Sequence, residues 1–249
     1  MKILALIPAR YQSSRFPGKP LADIGGKPMI QRVYEQTKKA FEYVYVATDD
    51  NRIFDCVKSF DGKAVMTSEN HQSGTDRCYE ALLNVEAELG IVFDIVVNVQ
   101  GDEPFIAPEQ LLDLVGCFDD SSTEIATLIK RFDREESVFN PNSPKVVINK
   151  NGDAMYFSRS AIPFDRDSSE NFRKDEFPYY KHIGLYAYRR ETLIRITKLE
   201  QSYLERMEKL EQLRWLEEGI KIKTAKTTHN TFAVDTPEDL QTLKNMGLF

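Results

Sequence analysis

Cysteine is scarce. Cys56, Cys78 and Cys117 stand far apart and no two form a C-x-x-C, which excludes a disulfide framework and a zinc site of ordinary spacing. They read as reduced, packed thiols. Long apolar runs are missing, so no segment approaches a membrane span. The apolar run after Met1-Lys2 ends at Ile7, shorter than the core of a secretion signal, so a cytoplasmic protein is expected. A basic surplus is missing too: 33 Lys and Arg against 39 Asp and Glu leave −6, which argues against nucleic acid as a partner. Neither G-x-x-x-x-G-K-[ST] nor G-x-G-x-x-G occurs, which excludes a P-loop and disfavours an ordinary NAD-binding site.

What is present is enough apolar residue, 41% of 249, for a sizeable core. Short apolar runs alternate with helical patterns. Ile3 to Ile7, Tyr43 to Ala47, Ala64 to Met66 and Asp94 to Val99 read as strands. Between and after them, Met29 to Ala40, residues 51 to 60, Thr75 to Leu89 and Pro108 to Phe118 read as helices. This alternation predicts an α/β fold, a mostly parallel (mixed) central sheet with helices on both faces. Later strands are expected at Ile125 to Ile129, Lys145 to Ile148 and His182 to Tyr188. One helix is expected over 203 to 218, with Leu204, Met207, Leu210, Leu213 and Leu216 inward and Gly219 as its stop. Asp165 to Glu176 reads as an exposed, mobile loop. Thr236, with Pro237 next, caps a last helix. With no repeat and no low-complexity linker, the chain reads as a single domain over 1–249 with an embedded excursion at about 150–190.

Two loops hold the chemistry. "PARYQSSRFPGKPL" gathers Arg10, Arg15 and Lys19 after the first strand and stiffens them with Pro17 and Pro20. Arginine forks and a lysine point charge suit a polyphosphate, although a solvated basic turn has the same composition. "NVQGDEP" puts Asp102 and Glu103 just past the strongest strand, where open α/β sheets bind ligands. A second acid, Asp235 in "FAVDTPEDL", precedes the last helix. Magnesium takes one or two carboxylates plus phosphate oxygens, and Asp102 with Asp235 is the best pair for it.

Taken together with "GKPMIQRVYEQ", "VATDD", "HQSGTDRCYE", "FNPNSPKVV", "MYFSRSAIPFDRD", "HIGLYAYRRE" and "LEQLRWLEEG", these segments resemble the 3-deoxy-manno-octulosonate cytidylyltransferases. The resemblance runs through nearly the whole chain. It implies a nucleotide-diphospho-sugar transferase-like fold with a smaller sugar-binding and dimerisation excursion. The implied reaction is attack of the anomeric hydroxyl of 3-deoxy-manno-octulosonate (Kdo) on the α-phosphorus of CTP. Pyrophosphate leaves, and the CMP-Kdo formed serves lipopolysaccharide synthesis.

Roles follow by motif. Arg10, Arg15 and Lys19 would hold the triphosphate, with Arg10 and Lys19 counted as catalytic beside Asp102 and Asp235. Those two aspartates would also hold magnesium. Ser73, Gly74, Arg77 and Gln100 would bind the nucleotide, Arg77 donating to the cytosine carbonyl. Arg159, Arg166, His182, Tyr186, Glu211 and Gln212 would bind the sugar. The family also implies a homodimer through residues 150 to 190. Phe16 stands where the family often has Leu, a change of packing more than of chemistry. Three matters stay open: the proton acceptor, with Asp235 among the choices; an amino-Kdo or sialic-acid-like sugar as substrate; and a non-catalytic nucleotide binder as the rival class.

Overall fold

The computed structural model describes residues 1–13, 15–71, 73–166 and 178–249. Most of the expected loop from Asp165 to Glu176 lies outside the described residues.

In chain order the elements are β1 (Ile3–Ala9), α1 (Met29–Ala40), β2 (Tyr43–Thr48), α2 (Asn51–Ser59), β3 (Ala64–Met66), α3 (Gly74–Leu89), β4 (Ile95–Asn98) and α4 (Pro108–Gly116). There follow β5 (Ile125–Arg131), β6 (Lys145–Ile148), β7 (Ala154–Ser158), β8 (Tyr180–Arg189), α5 (Arg190–Ile196), α6 (Tyr203–Glu208), α7 (Gln212–Glu217), β9 (Ile222–Lys226) and α8 (Pro237–Asn245).

The chain divides into two compact units. The first comprises Met1–Leu112, Ala187–Thr197 and Asn230–Phe249. Its strands run in the order β3-β2-β1-β4, all parallel. Pro8 has no N–H to give to a ladder, and it sits past Leu6, the last β1 residue in register with β4. Leu4, Leu6, Val44, Val46, Val96 and Val97 are fully buried, as expected for a sheet covered by helices. On α1 the buried residues are Met29, Ile30, Val33, Tyr34 and Thr37, a single helical stripe.

The second unit comprises Asp113–Tyr186 and Lys198–His229, a longer stretch than the excursion expected from sequence. Its strands run β8-β5-β9, with β5 and β9 parallel. β6 lies antiparallel to both β7 and β8, so the sheet type is mixed. Phe157, Leu185, Leu213, Trp215 and Ile222 form part of its core.

The expected single helix over 203 to 218 is instead two, α6 and α7. Lys209 turns left-handed at φ 54° and breaks it. Polar residues set this break. Ser202 and Glu205 form a reciprocal cap at the start of α6. Glu205 is itself buried and takes both forks of Arg214, at 2.7 Å each. With Glu205 facing inward on α6, Met207 is turned out and is 66% exposed, contrary to the expectation that it packs inside.

Candidate active site

The cationic loop is a closed structure. The Gly18 N–H donates to the Tyr11 carbonyl at 2.9 Å, and Gly18 has φ 71°. A β-carbon there would be strained by its backbone and would press on the Tyr11 ring at 3.1 Å, so glycine is required. The Arg52 guanidinium lies over that ring, 3.3 Å from its centroid. The closed loop delivers Lys19 into a short 3-10 turn with its side chain mostly covered.

Lys19 is the centre of the site. Its Nζ donates to Asp102 Oδ2 at 2.9 Å and to Asp235 Oδ1 at 3.1 Å. Arg15 reaches the other oxygen of Asp235 at 3.2 Å. The two acids are brought together by the backbone as well, since the Val234 N–H donates to the Asp102 carbonyl at 2.9 Å. Gly101 lets this turn approach β1: a β-carbon would stand 2.9 Å from the Pro8 carbonyl oxygen. Below Asp235, the carboxylate of Asp239 accepts the N–H groups of Asp235 and Thr236 at 2.9 and 2.8 Å. Burial works against the Asp239 charge, but these bonds win and hold its carboxyl below the usual range.

Arg10, Ser13, Arg15, Lys19, His71, Ser73, Gly74, Arg77, Gln100, Asp102 and Asp235 all line one cleft of about 290 Å³ in the first unit. Every nucleotide residue named from the sequence is therefore in one place. Ser73 also caps α3, its Oγ accepting from the Asp76 N–H at 3.1 Å. Arg77 is buried and already tied: Nη2 to Asp49 at 2.8 Å and Nη1 to Thr67 Oγ1 at 2.6 Å. Only its remaining N–H groups are left for a base.

Sequence reasoning gave Asp49, Glu80 and His71 no role. Asp49, the first aspartate of "VATDD", lies just beyond β2 and anchors Arg77. Glu80 accepts from His71 Nε2 and from the Ser68 N–H, so His71 is held at the cleft wall. Glu103 is buried, its Oε2 has no hydrogen-bond partner among the described residues, and burial with the nearby Asp102 charge pushes its carboxyl up to about 8.

The two acids suit a magnesium ion by donor chemistry. They are hard carboxylates that share one ammonium, and a divalent cation takes the same kind of position. Among the described residues no group of three or more His, Cys, Asp or Glu forms a metal cluster, so the remaining donors would come from substrate phosphate and water.

The residues expected to bind the sugar lie in the second unit. His182 Nε2 contacts Thr127 Oγ1 at 3.0 Å. Its ring meets Phe157 edge-on at 5.1 Å and Tyr186 at 5.3 Å, and Tyr186 meets Trp215 edge-on at 5.1 Å. Gln212 is buried, and its amide Nε2 has no hydrogen-bond partner among the described residues. An orphaned amide costs about 1–3 kcal/mol, which a ligand hydroxyl would recover. Arg159 is held by backbone carbonyls, and Arg166 is exposed beside the undescribed segment.

Burial alone pushes the His182 imidazole down to about 3 from 6.5. A depressed histidine pKa makes the unfolded chain bind more protons as pH falls below 6.5, so stability is lost in that direction. Wild type should lose about 2 kcal/mol more than His182→Gln between pH 6.5 and 5. Urea melts of both proteins across that window check this.

The chain matches the cytidylyltransferase family over residues 4–222. It is 58% identical over 245 residues to 3-deoxy-manno-octulosonate cytidylyltransferase of Parabacteroides distasonis, spanning 97% of this chain and 96% of that protein. To the Bacteroides thetaiotaomicron protein of the same description it is 57% identical over 244 residues, spanning 97% and 96%. The chain belongs to the 3-deoxy-manno-octulosonate cytidylyltransferase family.

Solved structures agree with this membership. A CMP:2-keto-3-deoxy-manno-octonic acid synthetase, complexed with CTP, superposes on this cytidylyltransferase with a TM-score of 0.90 at 42% identity, over 100% of this chain and 99% of that one. A glucose-1-phosphate thymidylyltransferase from Bacillus anthracis gives a TM-score of 0.64 at 17% identity, covering 98% and 94%; it shares the fold. The cytidylyltransferase therefore has the nucleotide-diphospho-sugar transferase-like α/β architecture that its motifs implied.

Proposed function

We propose that this cytidylyltransferase transfers CMP from CTP to the anomeric hydroxyl of Kdo, releasing pyrophosphate and forming CMP-Kdo for lipopolysaccharide synthesis. The observation that carries this reading is the Lys19 ammonium shared by Asp102 and Asp235, in one cleft with Arg10 and Arg15. That array of three cations and two carboxylates is able to receive a triphosphate and a cation together.

In the transfer, a bond forms between the anomeric oxygen and the α-phosphorus. The bond from that phosphorus to the α,β-bridging oxygen breaks, and the hydroxyl proton is released. Negative charge builds on the departing pyrophosphate, and Arg10, Arg15 and Lys19 take it up. The N-terminus of α3, at Ser73 and Gly74, adds partial positive charge at the cleft wall. An enzyme of net charge −6 needs this local field, because its mean field repels CTP. Asp102 and Asp235 would hold magnesium, which when bound supplies further neutralisation of the phosphate oxygens. Ser73, Gly74, Arg77 and Gln100 read the base. A pocket built to bond one base edge rejects others by leaving its own groups unpaired.

The sugar is held in the second unit by His182, Tyr186, Glu211 and Gln212, with Arg159 and Arg166 as the cations for its carboxylate. The orphaned Gln212 amide supports this. A homodimer fits the same unit, where Met155, Phe164, Tyr203 and Met207 expose 62%, 83%, 63% and 66% of their surface. The reaction belongs in the cytoplasm. Three free cysteines suit that compartment. Among the described residues no helix is long and apolar enough to cross a membrane.

Pyrophosphate release tests the reading. It should require CTP, magnesium and Kdo together, and fall away with ATP, GTP or UTP. Release with an amino-Kdo or N-acetylneuraminate but not Kdo would replace the sugar and keep the mechanism. Silence with every acid sugar, from folded protein, would turn the reading to a non-catalytic nucleotide binder.

A further inference from the structure

Among the described residues Lys145 is the one lysine side chain in the group of largest fully buried side chains, with no exposed surface. It opens β6, and its Nζ donates to two backbone carbonyls, Asn140 at 2.9 Å and Arg159 at 2.5 Å. Among the described residues no carboxylate pairs with it. Burial lowers its pKa, the Arg159 charge lowers it further, and only Glu208 opposes them. An apolar side chain of the same length would fill this space without the cost of a buried ammonium. What the ammonium adds is the placement of two carbonyls.

One of those carbonyls belongs to Arg159, and Arg159 is bonded at every level to the end of α6. Its backbone N–H donates to Glu208 Oε2 at 2.9 Å. Its Nε donates to the Glu208 carbonyl at 2.7 Å and its Nη2 to the Lys209 carbonyl at 3.2 Å. Its Nη1 holds the Pro141 carbonyl at 2.9 Å, close in sequence to the other carbonyl that Lys145 takes. Ser158, one residue earlier, donates to the second oxygen of Glu208 at 2.6 Å. Lys209 is the left-handed residue that ends α6, and after Leu210 come Glu211 and Gln212. A cation at the carboxyl end of a helix is favourable in itself, and here it also fixes where the next turn begins.

We propose that Lys145 is a positioning residue for the acid sugar: through Arg159 it sets the turn that presents Glu211 and Gln212. Lys145 touches no substrate on this account, and the proposal rests on the sugar-binding reading above. Losing the ammonium frees the Arg159 carbonyl, loosens the guanidinium's grip on Glu208 and Lys209, and blurs the position of the Gln212 amide. The nucleotide residues lie in the other unit and are untouched.

The test is equilibrium binding, so that it does not depend on turnover. Trp215 is the only tryptophan and lies edge-on to Tyr186, so its fluorescence reports on the sugar cluster. Kdo is titrated by fluorescence, and CTP by calorimetry, for wild type, Lys145→Met, Arg159→Lys and the double variant. The expected result is a Kdo Kd raised about tenfold in each single variant with the CTP Kd changed less than twofold. The double variant should be no weaker than the worse single one, since both changes act on one turn. A lower Tm with an unchanged Kdo Kd would overturn the proposal, as would an equal loss of CTP and Kdo binding or additive losses in the double variant. If Lys145→Met does not fold, Arg159→Lys decides: an unchanged Kdo Kd there overturns the route through Arg159. Wild type that binds CTP but no acid sugar overturns the functional reading itself.

Discussion

Asp102→Asn is expected to lower kcat by about a hundredfold or more, and Asp235→Asn by a similar factor. Asparagine keeps the shape of each side chain and removes its charge. Neither acid is deeply buried, with side chains 29% and 39% exposed, and their pairs with Lys19 stabilise the fold by less than about 1 kcal/mol each. Melting temperatures should therefore stay close to wild type while turnover collapses. The backbone bond from Val234 to Asp102 does not depend on either side-chain charge and keeps the two loops together. Turnover measured over a magnesium titration, beside a thermal melt, separates the two effects. Full activity in either variant would remove that aspartate from the metal and phosphate array.

Lys19→Met should lose about 10²–10³-fold in kcat for a different reason. It leaves two carboxylates facing each other with only Arg15 nearby, and it removes the charge that meets the departing pyrophosphate. Lys19→Arg should recover only part of this. The ammonium is a compact point charge between two oxygens, and its side chain is only 15% exposed, so a planar fork does not fit the same geometry. Single-turnover kinetics on the three proteins checks this. Equal rates would show that the ammonium is only a structural bridge between the acids.

Several of these features were legible in the sequence because they are local. A parallel sheet of continuous apolar strands announces itself in "ILALI" and "DIVVNV", and the cap at Thr236 follows from residue type. The cationic loop was legible as a composition. What it pairs with was not: Lys19 reaches acids 83 and 216 residues away, and only the family motifs joined them. β7 and β9 went unread because "AMYFS" and "IKTAK" are too short and too polar for a clean period, and their pairing partners define them. The break between α6 and α7 was hidden by a long run of helix-forming residues. It is set by Glu205 turning inward to Arg214, a tertiary contact that overrides the apolar period. Likewise Arg77 was read as a base contact from its motif, while Asp49 and Thr67 hold two of its nitrogens.

The most direct test of CMP transfer follows the phosphorus. CTP labelled with ³²P at the α or the γ position is incubated with the enzyme, magnesium and Kdo, and the products are separated. The account predicts the α-label in a sugar-linked CMP that forms only when Kdo is present, and the γ-label in pyrophosphate. An α-label that stays in CTP, or that appears as free CMP whether or not the sugar is added, would contradict it.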